Sequence, residues 1–186
     1  MSNDPVADIL NDPRFKGSPL TWEADPAEYD RIRHAWLTHV SAEEPLFAHH
    51  ENQADWDRQL PIMLGVFTDD CVMELVSCGR KWHGQDGAAE FYRYFITAFD
   101  GMVWVPQAMV IGPQGVLDVA NMSGVLVQDF AGMKATNTRV QLQWIIHVPW
   151  VPEKQKFGGE RIFSIRPLSQ FEDPVAGPPQ LPTGAP

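Results

Sequence analysis

The stretch VFTDDCVMELVSCGRKWHGQDGAAEFYRYF, residues 66–95, runs from an acidic turn through a short apolar strand and a His-Gly corner into an aromatic-rich helix. Cys71 begins a run with the residue types of a strand. From Gln85 on, apolar and aromatic side chains recur at helical spacing, and Gly101 is expected to stop this helix. The stretch therefore predicts a strand, a corner and a helix in direct succession.

Two further helices are predicted before this stretch. The first has Asp25 as its N-cap and Pro26 at its first helical position. Its predicted inner face carries Tyr29, Ile32, Arg33, Trp36 and Val40. The second begins near Asn52 and is expected to reach the acidic turn at Asp69-Asp70, with a kink or a division at Pro61.

Long strands are predicted after the aromatic-rich helix. They cover residues 102–112, 115–130, 134–150 and 160–168. Pro106 and Gly124 are positions where bulges would bend the sheet. The order of elements predicts an α+β fold, in which a curved, mostly antiparallel sheet is wrapped into a cone and three helices enclose a central apolar pocket.

Composition limits the classes of partner. The chain has 186 residues, a formal net charge of −10 and a pI near 4.9. We expect neither nucleic acid nor anionic membrane surfaces as partners, because binding to their phosphate groups requires clustered Lys and Arg side chains and this chain is strongly acidic. The first residues lack a basic start and an apolar core, and no run is long enough to span a membrane, so we expect a cytoplasmic protein.

The domain expectation is an irregular arm over residues 1–24, a single domain over residues 25–168 and a Pro/Gly-rich, disordered tail over residues 169–186. Cys71 and Cys78 are expected to be free thiols. The six histidines are scattered, which gives no metal site, and no phosphate loop or dinucleotide fingerprint is present. We therefore expect neither a metal nor an organic cofactor.

The order of three motifs carries a resemblance to a known family. These motifs are LGVFTDDCVMEL, then WHGQDGAAEFYRYF, and a terminal GGERIFSIR. Together they resemble the SnoaL-like group of the nuclear transport factor 2-like superfamily over residues 26–168. The resemblance implies that Asp69-Asp70 and His83-Gly84 shape the fold, and that catalysis uses acid, base and hydrogen-bond donors in a dry cone. Where ketosteroid isomerases of this superfamily carry their aspartate base, this sequence has Leu75.

Polar residues on otherwise apolar inward faces are the candidate catalytic groups. Tyr29 would be a hydrogen-bond donor, and Arg33 would stabilise an oxyanion, unless it pairs with Asp30 or a sheet carboxylate. His147 would be an acid or base if the face it shares with Gln141, Gln143 and Ile145 lines the cone, the alternative being a structural histidine. The base is left open between Glu74, Asp118 and His147.

The predicted substrate-binding residues are Trp36, His49, Tyr92, Trp104, Asn121 and Gln143. The expected function is general acid-base chemistry on an apolar, aromatic small molecule, of the lyase, dehydratase, cyclase or isomerase type. The resemblance implies one specific reaction of this kind, since related bacterial carbon-carbon lyases release formaldehyde from lignin-derived diaryl compounds. The alternative is a non-catalytic ligand-binding or dimerisation module of the same fold. A homodimer or higher symmetric oligomer is expected, because one apolar face of the sheet is left uncovered by helices.

Overall fold

The computed structural model describes residues 25–168, so the predicted arm and tail lie outside the described residues. The helices are α1 Pro26–His49, α2 Gln53–Gly65 and α3 Gly84–Ile96. The strands are β1 Phe67–Leu75, β2 Arg80–His83, β3 Phe99–Gly112, β4 Gly115–Leu126, β5 Arg139–Val151 and β6 Lys156–Pro167. A short 3-10 turn, Val76–Cys78, joins β1 to β2.

The strands form one curved, unclosed sheet in the order β2-β1-β6-β5-β4-β3. Among these neighbours only β1 and β6, the second and third strands of the sheet, pair in parallel, and the other pairs are antiparallel. The helices cover the concave face, and a cavity lies between that face and the helices. The predicted α+β fold, with three helices enclosing a central apolar pocket, is confirmed.

Helix α1 begins as its sequence predicts. The Asp25 carboxylate accepts a hydrogen bond from the amide of Ala27 at 3.0 Å, and Pro26 occupies the first turn. Its buried face carries Ile32, Trp36, His39, Ala42, Leu46 and Phe47. The predicted face was rotated by about one position, because it counted Arg33, which is exposed, and omitted His39.

Two predicted helix ends were wrong for the same physical reason. Helix α2 ends at Gly65 rather than at the acidic pair, and Phe67 pairs with Phe157 of β6 as part of the sheet. Helix α3 ends at Ile96, and Phe99 already belongs to β3. In both cases apolar residues fit the helical period, but Phe67 and Phe99 are fully buried as members of the sheet. Of the kink or division expected at Pro61, the division does not occur, since α2 runs through Pro61.

Local irregularities give the sheet its curvature. The predicted bulge at Pro106 is confirmed, because the register between β3 and β4 shifts between Pro106 and Ala108. The predicted irregularity at Gly124 is also found, because the register between β3 and β4 shifts a second time between Asp100 and Val103, opposite Gly124. A Cβ there would lie 3.2 Å from the Phe99 Cβ, so glycine permits the close approach of β3.

The corner before α3 depends on one glycine. Gly84 has a φ of +71°, a conformation that side-chain-bearing residues rarely adopt. Cys71 is buried in β1 and Cys78 is exposed in the 3-10 turn, and both are free thiols, as expected. Among residues 25–168, no helix combines the length and the apolarity needed to cross a membrane.

Candidate active site

The cavity under α1 and α3 is the candidate site. It has a volume of about 460 Å³. Its lining residues come from α1, α3 and four strands, and they are Trp36, Val40, Glu43, Glu44, Phe47, Ala48, Phe91, Phe95, Met102, Val103, Trp104, Pro106, Asp118, Trp144, Ile146, Glu160 and Ile162. Volumes of this size accept a small organic ligand.

Aromatic rings form much of the cavity wall. Phe95 of α3 lies with its ring centroid 4.9 Å from that of Trp144 on β5. Trp104 of β3 packs against both, with its ring centroid 5.4 Å from Trp144. Because these rings pack edge to face or tilted on one another, they hold a fixed apolar surface against which an aromatic ligand can pack.

A polar cluster of His39, Tyr92 and Glu160 lies at the inner end of the cavity. The Tyr92 hydroxyl donates to Glu160 Oε1 at 2.7 Å, and His39 Nε2 lies 3.4 Å from the same oxygen. His39 Nδ1 lies 3.4 Å from the carbonyl oxygen of Met63, which can only accept. An imidazolium would donate from both ring nitrogens.

The electrostatics of His39 favour that charged form. Burial lowers the pKa of His39, but the hydrogen bond to Glu160 and the negative charge of that carboxylate raise it, and Glu43 raises it further where Glu43 is ionised, so the pKa lies above its usual value. Burial also raises the pKa of Tyr92 well above its usual value, and the charge of Glu160 adds to the rise. Tyr92 therefore remains a neutral hydrogen-bond donor.

Glu43 reaches the same cluster from α1, one helical turn after His39. Its Oε2 lies 3.7 Å from His39 Nε2, and its side chain is 14% exposed. Burial is the largest cause that raises the pKa of Glu43, to about 8, and the charges of Glu160 and Asp118 add to it, whereas His39 opposes it. At neutral pH Glu43 is thus a protonated carboxylic acid in the cavity wall.

Asp118 enters the cavity from the sheet. It lies on β4, is 2% exposed and carries an Oδ1 atom with no hydrogen-bond partner among residues 25–168. Burial raises the pKa of Asp118 to about 6, although a hydrogen bond from Trp104 offsets part of the rise. Above about pH 6 Asp118 is a carboxylate, and its Oδ1 atom accepts no hydrogen bond from residues 25–168.

Four predicted site residues lie in or directly behind this cavity. Trp36, Trp104 and Asp118 line it, and Tyr92 donates a hydrogen bond to Glu160, which also lines it. The inward face of β5 is the one that carries Trp144 and Ile146. The opposite face, with Gln143 and His147, therefore points away from the cavity.

The structure places the other predicted residues elsewhere. Arg33 is 63% exposed and pairs with Asp30 at 2.8 Å, which is the surface pairing considered as its alternative. Tyr29 lies one turn earlier on α1 and does not line the cavity. His49 is exposed, 3.8 Å from Glu51. A helix face rotated by one position accounts for the misplacement of Tyr29 and Arg33.

The outer face of the sheet holds the remaining candidates. The amide of Gln143 contacts Asn121 at 3.4 Å, and His147 Nε2 donates to the backbone carbonyl of Gln114 at 3.2 Å. Burial lowers the pKa of His147, so it is neutral at pH 7. Glu74 bonds Lys81 and Arg161 at 3.0 and 2.9 Å and is also outside the cavity. Of the three open candidates for the base, only Asp118 reaches the cavity.

Sequence reasoning missed His39, Glu43 and Glu160. His39 and Glu43 are four residues apart on α1 and follow Trp36 on its buried stripe, so polar residues at the periodic apolar positions were the available signal. Glu160 alternates with Ile162 on β6, and both line the cavity. Within residues 25–168, no group of three or more His, Cys, Asp and Glu side chains is arranged to hold a metal ion.

Comparisons with known proteins agree with the fold. The family model of the SnoaL-like domain matches residues 44–156, and no curated protein sequence matches the chain. A candidate SnoaL-like polyketide cyclase from Jannaschia sp. CCS1 superimposes with a TM-score of 0.57 at 15% identity, over 77% of this chain and 90% of that one.

Two further solved structures have the same fold. A candidate SnoaL-like polyketide cyclase from Shewanella denitrificans OS-217 gives a TM-score of 0.55 at 10% identity, over 76% of this chain and 92% of its own. AclR, a candidate hydroxylase from Streptomyces galilaeus, gives 0.51 at 14% identity, over 74% and 79%. The family match covers more than half of the chain, and the protein therefore belongs to the SnoaL-like domain family.

Proposed function

We propose that this protein is an enzyme that performs general acid-base chemistry on a small aromatic molecule held in the cavity. The observation that carries the proposal is that Glu43 and Asp118 both line one aromatic cavity, with pKa values of about 8 and about 6. Two carboxyl groups whose environments separate their pKa values can act as acid and base at the same pH.

The roles follow from these protonation states. Between pH 6 and 8 Asp118 is ionised and accepts a proton, whereas Glu43 is protonated and donates one. The two groups approach a ligand from different elements, since Glu43 is on α1 and Asp118 on the sheet. Such a pair of groups suits lyase, dehydratase, cyclase and isomerase reactions in which one proton is removed and another is donated.

The finer proposal is a carbon-carbon lyase acting on a diaryl compound with two hydroxyl groups. Asp118 takes the proton of the terminal hydroxyl, the adjacent carbon-carbon bond breaks and formaldehyde is released. The electron pair of that bond forms a carbon-carbon double bond, and the second hydroxyl leaves as water with a proton from Glu43. Atoms and charge balance without a further reactant.

His39 and Tyr92 position Glu160 in this proposal. The Tyr92 hydroxyl donates to Glu160 Oε1 at 2.7 Å, and His39 Nε2 lies 3.4 Å from the same oxygen. These two contacts fix the Glu160 side chain in one orientation at the cavity wall that the substrate contacts.

The test is a turnover screen with a matched control. The protein is incubated with neutral hydroxylated mono- and diaryl compounds, and products, including formaldehyde, are measured by mass spectrometry. Asp118→Asn is expected to reduce turnover by about a hundredfold or more, with little change in melting temperature. Asp69→Asn, which removes an exposed aspartate outside the cavity, is the control and keeps full turnover. Ligand binding without any turnover would support the non-catalytic alternative.

We also propose that the outer face of the sheet pairs with a second copy of the chain. Val110, Leu117 and Phe163 lie on or beside this face and are 60%, 39% and 43% exposed. Val110 and Leu117 are direct cross-strand partners, so they form one apolar patch. A patch shared by two copies in a symmetric dimer would be removed from water on both sides.

A further inference from the structure

The ionisable side chains that line the cavity are all carboxyl groups. Glu43, Asp118 and Glu160 line its interior and Glu44 lies at its edge, and no Lys or Arg is among the described residues that line it. A ligand that carries a carboxylate would face these groups with no cationic partner. Because a buried charge without a counter-ion is costly, the lining disfavours anionic ligands.

The unsatisfied polar atoms of the cavity are of two kinds. The indole N–H groups of Trp36 and Trp144 are buried and have no acceptor among residues 25–168. Asp118 Oδ1 is likewise buried and has no donor there. Each is nine-tenths or more buried, and all three residues line the cavity. Buried polar atoms normally have a hydrogen-bond partner. A ligand that fits the site would therefore offer an acceptor to an indole N–H group and a donor to Asp118 Oδ1.

A carboxylate, an ammonium and a hydroxyl group differ in whether they can bond both an indole N–H group and Asp118. A carboxylate accepts from the indoles but adds a negative charge beside Asp118. An ammonium donates to Asp118 but has no lone pair for the indole N–H groups. A hydroxyl donates to the carboxylate and accepts from an indole, and it brings no charge into the aromatic wall.

We propose that the ligand of this cavity is an uncharged aromatic compound with a hydroxyl group that donates to Asp118 and accepts from the indole of Trp36 or Trp144. The proposal rests on the proposed function for its site and adds the side chains that select an uncharged hydroxyl group over a charged group. Diaryl alcohols meet this description and are small enough for a cavity of about 460 Å³. The cavity binds compounds that carry a carboxylate or an ammonium group in place of the hydroxyl with lower affinity.

The experiment compares three probes with one diaryl skeleton. Affinities of the full-length protein for 1,2-diphenylethanol, 2,3-diphenylpropanoate and 1,2-diphenylethylammonium are measured by calorimetry at pH 7. The alcohol is expected to bind about tenfold or more tightly than either charged probe, the scale of one buried polar group left unpaired. Equal or tighter binding of a charged probe, or no binding of the alcohol at millimolar concentration, would overturn the proposal.

Two variants test the assigned contacts. Trp36→Phe removes one indole donor and is expected to reduce the preference for the alcohol over the ammonium probe by several-fold. The control is Trp56→Phe, since the Trp56 indole bonds the carbonyl of His50 outside the cavity, and the preference should be unchanged. Asp118→Asn is expected to weaken the discrimination against the carboxylate probe. An unchanged preference in both Trp36→Phe and Asp118→Asn, in folded protein, would contradict the assigned contacts.

Failure of this inference can be told from failure of the proposed function. Binding of the alcohol with the expected preference, but no turnover of any hydroxylated aromatic compound, would remove the enzyme proposal and leave the ligand class intact. Turnover of a carboxylated aromatic compound that depends on Asp118 would retain the enzyme proposal and remove the ligand class.

Discussion

The hydroxyl of Tyr92 lies 2.7 Å from Glu160 Oε1 and joins α3 to β6 behind the cavity. Both side chains are buried, and His39 contacts the same carboxylate oxygen at 3.4 Å. Since Glu160 also lines the cavity, the bond connects the packing of the core with the orientation of a group at the site. The stability of the fold and the chemistry of the cavity are therefore coupled at this point.

Replacing Tyr92 tests that bond. Tyr92→Phe keeps the ring but removes the hydroxyl that donates to the buried Glu160 carboxylate, and we expect a loss of about 1–3 kcal/mol in the free energy of unfolding. Urea denaturation measures the loss. Tyr29→Phe, which changes a half-buried tyrosine outside the cluster, is the control. Equal effects of the two changes would show that the bond to Glu160 does not stabilise the fold.

Glu43 should make stability depend on pH. Its pKa is raised from 4.5 to about 8 in the folded protein, so folding favours the protonated form. The resulting penalty is absent below pH 4.5, grows as the pH rises and is complete above pH 8. Glu43→Gln mimics the neutral acid, and we expect it to match the wild-type protein at pH 5 and to be more stable at pH 9.

Thermal unfolding at both pH values checks this expectation. Glu44→Gln, a change at the exposed neighbouring residue, is the matched control and should show no such trend. A Glu43→Gln protein that is less stable than the wild type at pH 9 would mean that the Glu43 carboxylate is stabilised, rather than penalised, by its surroundings.

The sequence was sufficient for the fold because the order of its elements is distinctive, but it was not sufficient for the site. Helix α1 was identified from its cap and its period, whereas one position of rotation decides whether Arg33 or His39 is buried. On β5, alternation separates Trp144 from His147 without showing which faces the helices. That choice depends on how the sheet curves, which is set by contacts distant in sequence.

Arg33 provides a test of the corrected helix face. Its guanidinium is exposed and paired with Asp30 three residues earlier, and such surface pairs contribute little to stability. We expect Arg33→Met to leave turnover unchanged and the melting temperature within about one or two degrees of the wild-type value. A large loss of turnover in a folded Arg33→Met protein would place Arg33 at the reaction after all.

The proposed dimer gives a prediction about the outer face. Light scattering at micromolar concentration is expected to give twice the mass of the chain, and Leu117→Glu, which places a charge in the apolar patch, should give the mass of one chain. Asp100→Asn, on β3 but outside the patch, is the control and should remain dimeric. A wild-type protein with the mass of one chain would rule out this pairing.

The pH dependence of turnover tests the roles assigned to the two carboxyl groups. Asp118 must be ionised to act as a base, so kcat/KM should rise as the pH increases through about 6. Glu43 must be protonated to act as an acid, so kcat/KM should fall as the pH increases through about 8. The expected profile is a bell with its maximum between these values. In Glu43→Gln the falling limb should disappear along with much of the activity, whereas Glu44→Gln should keep the bell. A profile that stays level above pH 9 in the wild-type protein would remove Glu43 as the acid and leave Asp118 to be tested alone.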